Sequence, residues 1–190
     1  MVTLRKKIKG TFDLQPYEID PSLPAMKILK NLPEKFPAEV IDDHLYVHEP
    51  ASLYHSIVNY DLSVELGNYV KSRNLGRIFV EPAGVWFNQR KTVVMPDIFF
   101  VSNEKSHLLK SKGLCGSPDL VIEVLSRSTR KYNFTMKKDI YEKYGVKEYW
   151  LIDPETKNAT GFLLKKGTYG APLIMRSKIY VRIFDKEFSF

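Results

Sequence analysis

The sequence predicts an α/β domain in which a mixed β-sheet is flanked by helices, and three observations support this prediction. Residues 117–153 have the order strand, loop, helix, strand, and such a crossover favours two neighbouring parallel strands. Between residues 77 and 101, runs of β-forming residues alternate with short turns, which is typical of antiparallel strands. Between Ser52 and Ser72, apolar residues recur with a helical period, which predicts a helix that covers the sheet.

The chain of 190 residues is long enough for one domain with a substantial core. We divide it into an amino-terminal arm, residues 1–37, and one domain over residues 38–190. Prolines punctuate the arm, which leaves room for at most one short helix at about Ala25–Leu32. We find no internal repeat and no second domain in the sequence.

Charge and composition narrow the choice of partners. The formal net charge of +7 favours a polyanionic partner such as DNA, although many basic proteins bind no nucleic acid. Cys115 is the single cysteine, so an intramolecular disulfide is excluded and a reducing, cytoplasmic location is expected. The apolar runs are too short to cross a bilayer, so no membrane partner is expected. A homodimer and a monomer both remain open.

The first elements of the domain are a hairpin and a helix. Residues 38–47 predict a hairpin that turns at Asp42-Asp43 and carries Glu39 on its first strand. Glu39 alone could equally be a metal ligand or an exposed strand charge. The following helix has Ser52 as its cap and an apolar face. That face comprises Tyr54, Val58, Leu62, Leu66 and Tyr69. His55, near the helix start, is more often a structural hydrogen-bonding residue than a catalyst.

Three strands then follow, at residues 77–82, 84–88 and 92–101, and they predict a meander. The third strand carries one charge, Asp97, directly after Pro96, which weakens strand pairing at that point. Residues 102–117 predict a polar loop that either borders a nucleic-acid groove or has no special role.

The strand around Glu123 raises the question of what neutralises a carboxylate among apolar residues. Alternation places Asp119, Val121, Glu123 and Leu125 on one face of this strand. A carboxylate there is costly unless a cation, a basic side chain or a metal satisfies it. If the strand of Asp97 lies beside it, two carboxylates converge, and such oxygen ligands suit Mg²⁺ or Mn²⁺.

The helix predicted at about Phe134–Tyr144 places Lys137, Tyr141 and Tyr144 on one side. Lys137 could complete a metal site by steadying negative charge, although a lone helical lysine is usually a solvated charge. Between strand and helix lies a set of donors that suit phosphate oxygens, and we predict that it contacts the DNA backbone. It comprises Arg127, Arg130, Lys131, Ser126, Ser128 and Thr129.

The remaining elements are strands. Residues 148–152 predict a buried strand in which Tyr149 and Trp150 are core residues. Thr160–Lys165 is predicted to pair with it, and Lys178–Phe184 is predicted to form a closing strand.

These residues together resemble the Uma-two family of putative restriction endonucleases, within the PD-(D/E)XK nuclease superfamily. The resemblance covers roughly residues 38–185. The matching positions are Ala38–Asp42, His55, Pro96-Asp97, Pro118-Asp119-Leu120, Glu123-Val124, Ser126, Ser128-Thr129, Lys137, Tyr141, Gly145-Val146 and Tyr149-Trp150.

The resemblance implies a restriction-endonuclease-like fold and Mg²⁺-dependent or Mn²⁺-dependent cleavage of DNA. It implies Asp97, Glu123 and Lys137 as catalytic residues and Asp97, Glu123 and Glu39 as metal ligands. His55, Asp119 and Tyr141 would border the site.

Leu125 stands where the superfamily has its lysine, but in the Uma-two family this lysine lies on the next helix, where Lys137 stands at the matching place. One position departs from the family pattern, because family members usually have Asp where this chain has Asn133. Two other hypotheses stay open. One is a catalytically silent nucleic-acid-binding module, and the other is a protein with a different hydrolytic or assembly role.

Overall fold

The computed structural model describes residues 24–32, 37–47, 50–87 and 92–190, so most of the predicted arm lies outside the described residues. The helices are α1 (Ala25–Asn31), α2 (Leu53–Ser72), α3 (Arg130–Tyr132) and α4 (Lys138–Lys143). A π-helical turn, Asn133–Lys137, joins α3 to α4, and we call the continuous segment 130–143 the central helix.

The strands, in chain order, are β1 (Ala38–Ile41), β2 (His44–Val47), β3 (Gly76–Val80), β4 (Val85–Phe87), β5 (Thr92–Val94), β6 (Ile98–Ser102), β7 (Leu109–Lys110), β8 (Gly113–Cys115), β9 (Leu120–Val124), β10 (Glu148–Ile152), β11 (Asn158–Lys165), β12 (Thr168–Tyr169), β13 (Leu173–Arg176), β14 (Lys178–Val181) and β15 (Lys186–Ser189). Two 3₁₀ helices cover Asn103–Leu108 and Arg182–Phe184.

Two mixed sheets form the body of the described chain. The larger has the order β12-β11-β10-β9-β6-β3, with β13 also paired to β11, and the smaller has the order β2-β1-β5-β4-β8-β7. β9 and β10 are parallel, with Leu120 opposite Glu148, which confirms the predicted crossover. β6 is antiparallel to β9. The mixed sheet flanked by helices is therefore confirmed.

The larger sheet is buried on both faces, as the alternation along β9 predicts. Val121 and Leu125 pack in the cluster that includes residues of the central helix. Leu120, Ile122 and Val124 pack on the other face, against the apolar side of α2. Burial on both faces explains why β9 is almost continuously hydrophobic and why its one charged residue, Glu123, needs a partner.

Several predicted elements are confirmed with their bounds nearly unchanged. The hairpin β1–β2 turns at Asp42 and Asp43, α1 lies where the short helix was expected, and the Ser52 side chain caps α2 by accepting the His55 N–H. β10 and β11 pair as predicted, and Tyr149 and Trp150 are fully buried. Gly161 faces Trp150 so closely that a Cβ there would lie 2.6 Å from the indole ring.

The predicted strand over residues 92–101 and the predicted meander are wrong. The chain breaks at Met95-Pro96, so β5 joins the smaller sheet and β6 joins the larger. Proline lacks an N–H and cannot continue the ladder, which is the physical reason for the break. As a consequence, β3 pairs with β6 whereas β4 pairs with β5, and Asp97 lies where the chain crosses from one sheet to the other.

Four further expectations need correction. Residues 102–117 are not an irregular loop throughout, because they include β8, which pairs with β4 and carries the buried Leu114. The central helix begins at Arg130, earlier than the predicted Phe134. Tyr54 is 66% exposed, because the buried face of α2 is rotated onto His55, Val58, Leu62, Leu66 and Val70.

At the carboxyl end, the predicted strand Lys178–Phe184 stops at Val181 and pairs with β15, and β13 was not predicted. None of the helices in the described part of the chain has the length and apolarity that crossing a bilayer requires.

Candidate active site

The structure brings three carboxylates from three strands to the junction of the two sheets. Glu39 lies on β1, Asp97 directly precedes β6, and Glu123 lies on β9. The pairing of Ile98 with Ile122 continues by one residue to place Asp97 opposite Glu123. Asp97 Oδ2 accepts the Val124 N–H at 2.7 Å, which fixes the carboxylate across the two strands.

The ammonium group of Lys137 lies between two of these carboxylates. Its Nζ is 2.8 Å from Glu123 Oε1 and 2.9 Å from Glu39 Oε1, and the residue is only 3% exposed. Lys137 is therefore not a solvated helix charge. Within the described ranges, no three or more His, Cys, Asp or Glu side chains lie close enough together to hold a metal ion in this conformation.

Further donors complete the environment of the two glutamates. The Tyr141 hydroxyl donates to Glu123 Oε1 at 2.7 Å, and the Tyr132 hydroxyl donates to Glu39 Oε2 at 2.9 Å. The Met95 N–H donates to Glu39 Oε1 at 2.6 Å. Both glutamates are thus held in single orientations, which is the condition for a precisely positioned site.

His55 supports Asp97 from the other side. Its Nε2 lies 3.2 Å from Asp97 Oδ1, and the capped start of α2 orients the residue. Desolvation alone would lower the pKa of His55, but the hydrogen bond and the charge of Asp97 raise it above its ordinary value. The structure therefore places His55 in contact with the predicted site.

The site holds more carboxyl groups than basic side chains. Desolvation by burial raises the pKa of Glu123 to about 8, because the attraction of Lys137 does not offset it and Asp97 and Glu39 raise it further. Desolvation opposes the charge of Lys137 as well, but Glu123 and Glu39 hold its pKa above its ordinary value. Three carboxylates therefore share one lysine and one histidine.

The π-helical turn explains how the central helix serves both glutamates. Lys137 and Tyr141 are four residues apart and both reach Glu123, as the helical spacing predicted. Tyr132 lies five residues before Lys137, and the wider turn brings it to the same side, so helical spacing alone missed it.

Two backbone hydrogen bonds define the carboxyl end of the central helix. The Gly145 N–H donates to the Glu142 carbonyl and the Val146 N–H to the Tyr141 carbonyl, with Gly145 at φ +79°. This is a Schellman motif, and its left-handed position favours glycine. The helix thus ends at Lys143, with Tyr144 as its cap residue, and the chain turns into β10.

The predicted phosphate-contacting residues surround the start of the central helix. Arg127 is highly exposed and lies 3.6 Å from Glu155, and Arg130 forms an ion pair with Asp153. The hydroxyls of Ser128 and Thr129 both contact Ser126 Oγ, at 3.1 and 2.8 Å. Lys131 is exposed. This region begins three residues after Glu123.

Asp119 lies at the opposite end of the same strand segment, roughly 13 Å from Glu123 at the usual rise per residue. Its Oδ1 is 2.8 Å from Lys147 Nζ and 3.1 Å from Lys105 Nζ, and its Oδ2 accepts the Ser102 N–H at 3.0 Å. The structure therefore does not bring Asp119 together with the three carboxylates.

Comparison with known proteins gives a family for this arrangement. The model of the Uma-two family, described as "Putative restriction endonuclease", matches residues 25–179. The chain belongs to this family. The family resemblance carried by the motifs is thereby confirmed.

A solved structure with the same fold agrees with this assignment. The crystal structure of a protein from Anabaena variabilis, described as "a putative nuclease", superposes with a TM-score of 0.70 at 20% identity. The match covers 86% of this chain and 91% of that one, and it confirms the restriction-endonuclease-like fold. A search of curated proteins gave no match.

In this member of the Uma-two family, Leu125 is a buried core residue, and the ammonium reaches Glu123 from Lys137 instead. Asn133 is buried too, and its backbone carbonyl accepts the Tyr149 hydroxyl at 3.0 Å. Asn133 therefore lies inside the central helix, as the first residue of the π-helical turn, and not at the helix start.

Proposed function

We propose that the protein is a metal-dependent nuclease that hydrolyses phosphodiester bonds of DNA. The observation that carries this proposal is the convergence of Glu39 and Glu123 on the ammonium of Lys137, with Asp97 held on the strand beside Glu123, in a family described as "Putative restriction endonuclease". Buried carboxylates in excess over cations are costly, and the cost is removed when a cation binds.

The residues of the site fit Mg²⁺ or Mn²⁺. Both ions prefer carboxylate oxygens, and the described site offers oxygen donors without a cysteine. Asp97 and Glu123 would hold the ion, with Glu39 as the third carboxylate. Such an ion supplies activation of water and stabilisation of negative charge on the phosphate.

The neighbouring side chains have roles that follow from their contacts. Lys137 holds a buried ammonium that can orient water or stabilise negative charge on the leaving oxygen. Tyr141 fixes Glu123 and His55 fixes Asp97, so both are positioning residues. Replacing Tyr141 or His55 would leave Glu123 or Asp97 in place but less firmly oriented.

Two features support DNA as the substrate: the net charge of the chain and the basic residues at the start of the central helix. The net charge of +7 favours a polyanion. We propose that Arg127, Ser128, Thr129, Arg130 and Lys131 contact backbone phosphates, since these donors lie at the start of the central helix near Glu123. Phosphate would then replace Glu155 and Asp153 as the partner of the two arginines.

Plasmid nicking with Mg²⁺ tests the proposal. We expect Asp97→Asn and Glu123→Gln to lower the nicking rate by about 100- to 1,000-fold, the scale of losing an electrostatic group that acts in the transition state. Asp119→Asn is the matched control, because it changes an equally buried carboxylate outside the site, and it should keep the rate within about twofold. Equal nicking by all variants would reject the proposal.

One observation favours a second candidate, a nucleic-acid-binding module that does not cut. In the described chain, Lys137 Nζ fills the space between Glu39 and Glu123, and no metal-binding group of side chains forms there. This candidate predicts DNA binding that weakens steeply with salt, together with no nicking by the wild type at any Mg²⁺ or Mn²⁺ concentration.

A further inference from the structure

The helix α2 carries apolar side chains on two opposite sides. Its buried side packs on the larger sheet. Its other side carries five of the nine large apolar side chains that are exposed in the described part of the chain. These five are Leu53 (83% exposed), Tyr54 (66%), Ile57 (52%), Tyr60 (68%) and Val64 (40%). A helix that is apolar on both sides is normally covered on both sides.

Four of these residues follow one line along the helix. Leu53, Ile57, Tyr60 and Val64 succeed one another at steps of four, three and four residues, the spacing at which helical side chains share a face. At 3.6 residues per turn this line lies opposite the buried Leu62, so it points away from the sheet. We call these four residues the α2 stripe.

Gly67 continues the α2 stripe by a further step of three residues. A glycine inside a helix costs stability relative to alanine. A Cβ added here would have no heavy atom within 4 Å, apart from its chain neighbours and the nearby backbone of its own helix. The packing of the described chain therefore does not require a glycine at this position. The missing side chain leaves a notch into which a second molecule can approach the helix closely.

The exposed apolar area is large enough for an interface. The α2 stripe and Tyr54 together expose roughly 600 Å², the upper end of the largest apolar patch on a typical monomer. Covering this area on two copies would bury about 1,200 Å², which reaches the lower end of specific protein–protein interfaces. Two α2 stripes could therefore hold a dimer together by themselves.

The charges of α2 favour a protein surface over nucleic acid or lipid as the cover of this side. Residues 53–70 contain two carboxylates, Asp61 and Glu65, and no lysine or arginine. Carboxylates repel phosphate, and helices that lie on membranes usually carry lysine or arginine on their polar side. A second copy of the chain brings the same apolar line and needs no complementary groove.

The shape of the α2 stripe fits an antiparallel pairing about a two-fold axis. Its large residues lie towards the amino end of α2, and the notch at Gly67 lies towards the carboxyl end. An antiparallel pairing therefore sets the large end of each copy against the notch of the other. A parallel pairing would set Gly67 against Gly67 and Lys71 against Lys71, which leaves a gap and brings like charges together.

We propose that two copies of this chain form a dimer in which their α2 stripes pack against each other in antiparallel orientation. His55 lies on the buried side of the same helix and contacts Asp97 there. The interface is thus separate from the candidate active site, and the inference does not rest on the proposed function.

Sedimentation equilibrium of the full chain over a concentration series tests the proposal. We expect the wild type to dimerise with a Kd on the order of 1 µM. Ile57→Glu should raise this Kd at least about 100-fold, because each copy would bury an unpaired carboxylate. Ile174→Glu is the matched control, because Ile174 is an exposed isoleucine on β13, and it should leave the Kd within about twofold.

Gly67→Leu separates the interface from the fold. Leucine is a better helix former than glycine, but its side chain would fill the notch. We expect the Kd to rise at least about 10-fold, while the Tm, measured below the wild-type Kd, should be at least that of the wild type. Circular dichroism at the same concentration should show that Ile57→Glu is folded as well.

Three results would overturn the proposal. The first is a wild type that stays monomeric up to about 100 µM, including one that binds vesicles of phosphatidylcholine and phosphatidylglycerol instead. The second is a dimer whose Kd is unchanged by either variant of the α2 side, since that dimer would use another surface. The third is an equal loss of dimer with Ile174→Glu, which would show that any added charge is enough.

Discussion

Asp119 and Glu123 start from the same strand and the same face, yet the fold treats them in opposite ways. Both are nearly inaccessible to solvent. Desolvation disfavours ionisation of Asp119, but hydrogen bonds from Lys147 and from the Ser102 N–H, together with Lys105, lower its pKa. Desolvation instead raises the pKa of Glu123, which shares its one lysine with Glu39 and lies beside Asp97.

The difference teaches that burial of a carboxylate does not by itself mark an active site. Lys105 and Lys147 both bind the carboxylate of Asp119, so the protein satisfies its charge. The carboxylate thereby links the 3₁₀ helix Asn103–Leu108 to the residue before β10. At Glu123 the carboxyl groups outnumber the lysines, so the protein does not satisfy a full negative charge there and the pKa of Glu123 is raised. A site for an added cation is expected where the charges fail to balance, and here that is the end of β9 that faces Asp97.

The largest test of this comparison is Lys137→Met, which removes the one ammonium between Glu39 and Glu123. We expect the free energy of unfolding to fall by about 3–5 kcal/mol at neutral pH, because the change leaves buried carboxylates without their cation. Urea unfolding monitored by circular dichroism measures the loss.

Lys138→Met is the matched control for this substitution. Lys138 is the next residue of the same helix, and its ammonium lies 4.0 and 3.9 Å from Asp139 and Glu142 and 5.4 and 5.8 Å from the ring centroids of Phe162 and Tyr169. Its replacement should change stability by less than about 1 kcal/mol. If the two variants lose equal stability, the carboxylate pair does not depend on Lys137.

Much of this comparison could be predicted from the sequence. Alternation along β9 places Glu123 with Val121 and Leu125, because side chains alternate between the two faces of a strand. The order strand, helix, strand makes β9 and β10 parallel neighbours, because such crossovers join parallel strands. The family motifs identified Lys137, which helical spacing alone could not separate from Lys138.

The remainder depends on contacts between segments that are distant in sequence. Pro96 signals a break in the strand, but it does not say that the two pieces enter different sheets. The contact of Tyr132 with Glu39 joins residues that are 93 positions apart and needs a π-helical turn. The two lysines that bind Asp119 come from two separate segments, the 3₁₀ helix Asn103–Leu108 and the residue before β10, so nothing next to Asp119 in the sequence indicates them.

A smaller effect is expected from Asp119→Asn. We expect a loss of about 1.5–3 kcal/mol at neutral pH, the scale of hydrogen bonds to a charged group. Since the pKa of Asp119 is lower in the folded protein than its ordinary value of 3.8, its contribution is complete above that pH. It is lost as the pH falls through the lower folded pKa.

The pH dependence itself is therefore the measurement. Urea unfolding of the wild type and of Asp119→Asn should give a constant difference between pH 5 and 7, which then narrows below about pH 4. A difference that instead widened on acidification would mean that Asp119 is protonated in the native protein.

The smallest effect is expected from Lys147→Met, and it separates the two carboxylates most sharply. The Lys147 side chain is 54% exposed, and Asp119 keeps Lys105 and the Ser102 N–H when it is removed. The loss should therefore stay below about 1 kcal/mol, as for other solvent-exposed ion pairs.

The double variant Lys105→Met/Lys147→Met should lose more than the sum of the two single variants, because only then is a buried carboxylate left without a cation. Strict additivity in this double-mutant cycle would show that the lysines act independently on Asp119, and the contrast with the single lysine of Glu123 would no longer hold.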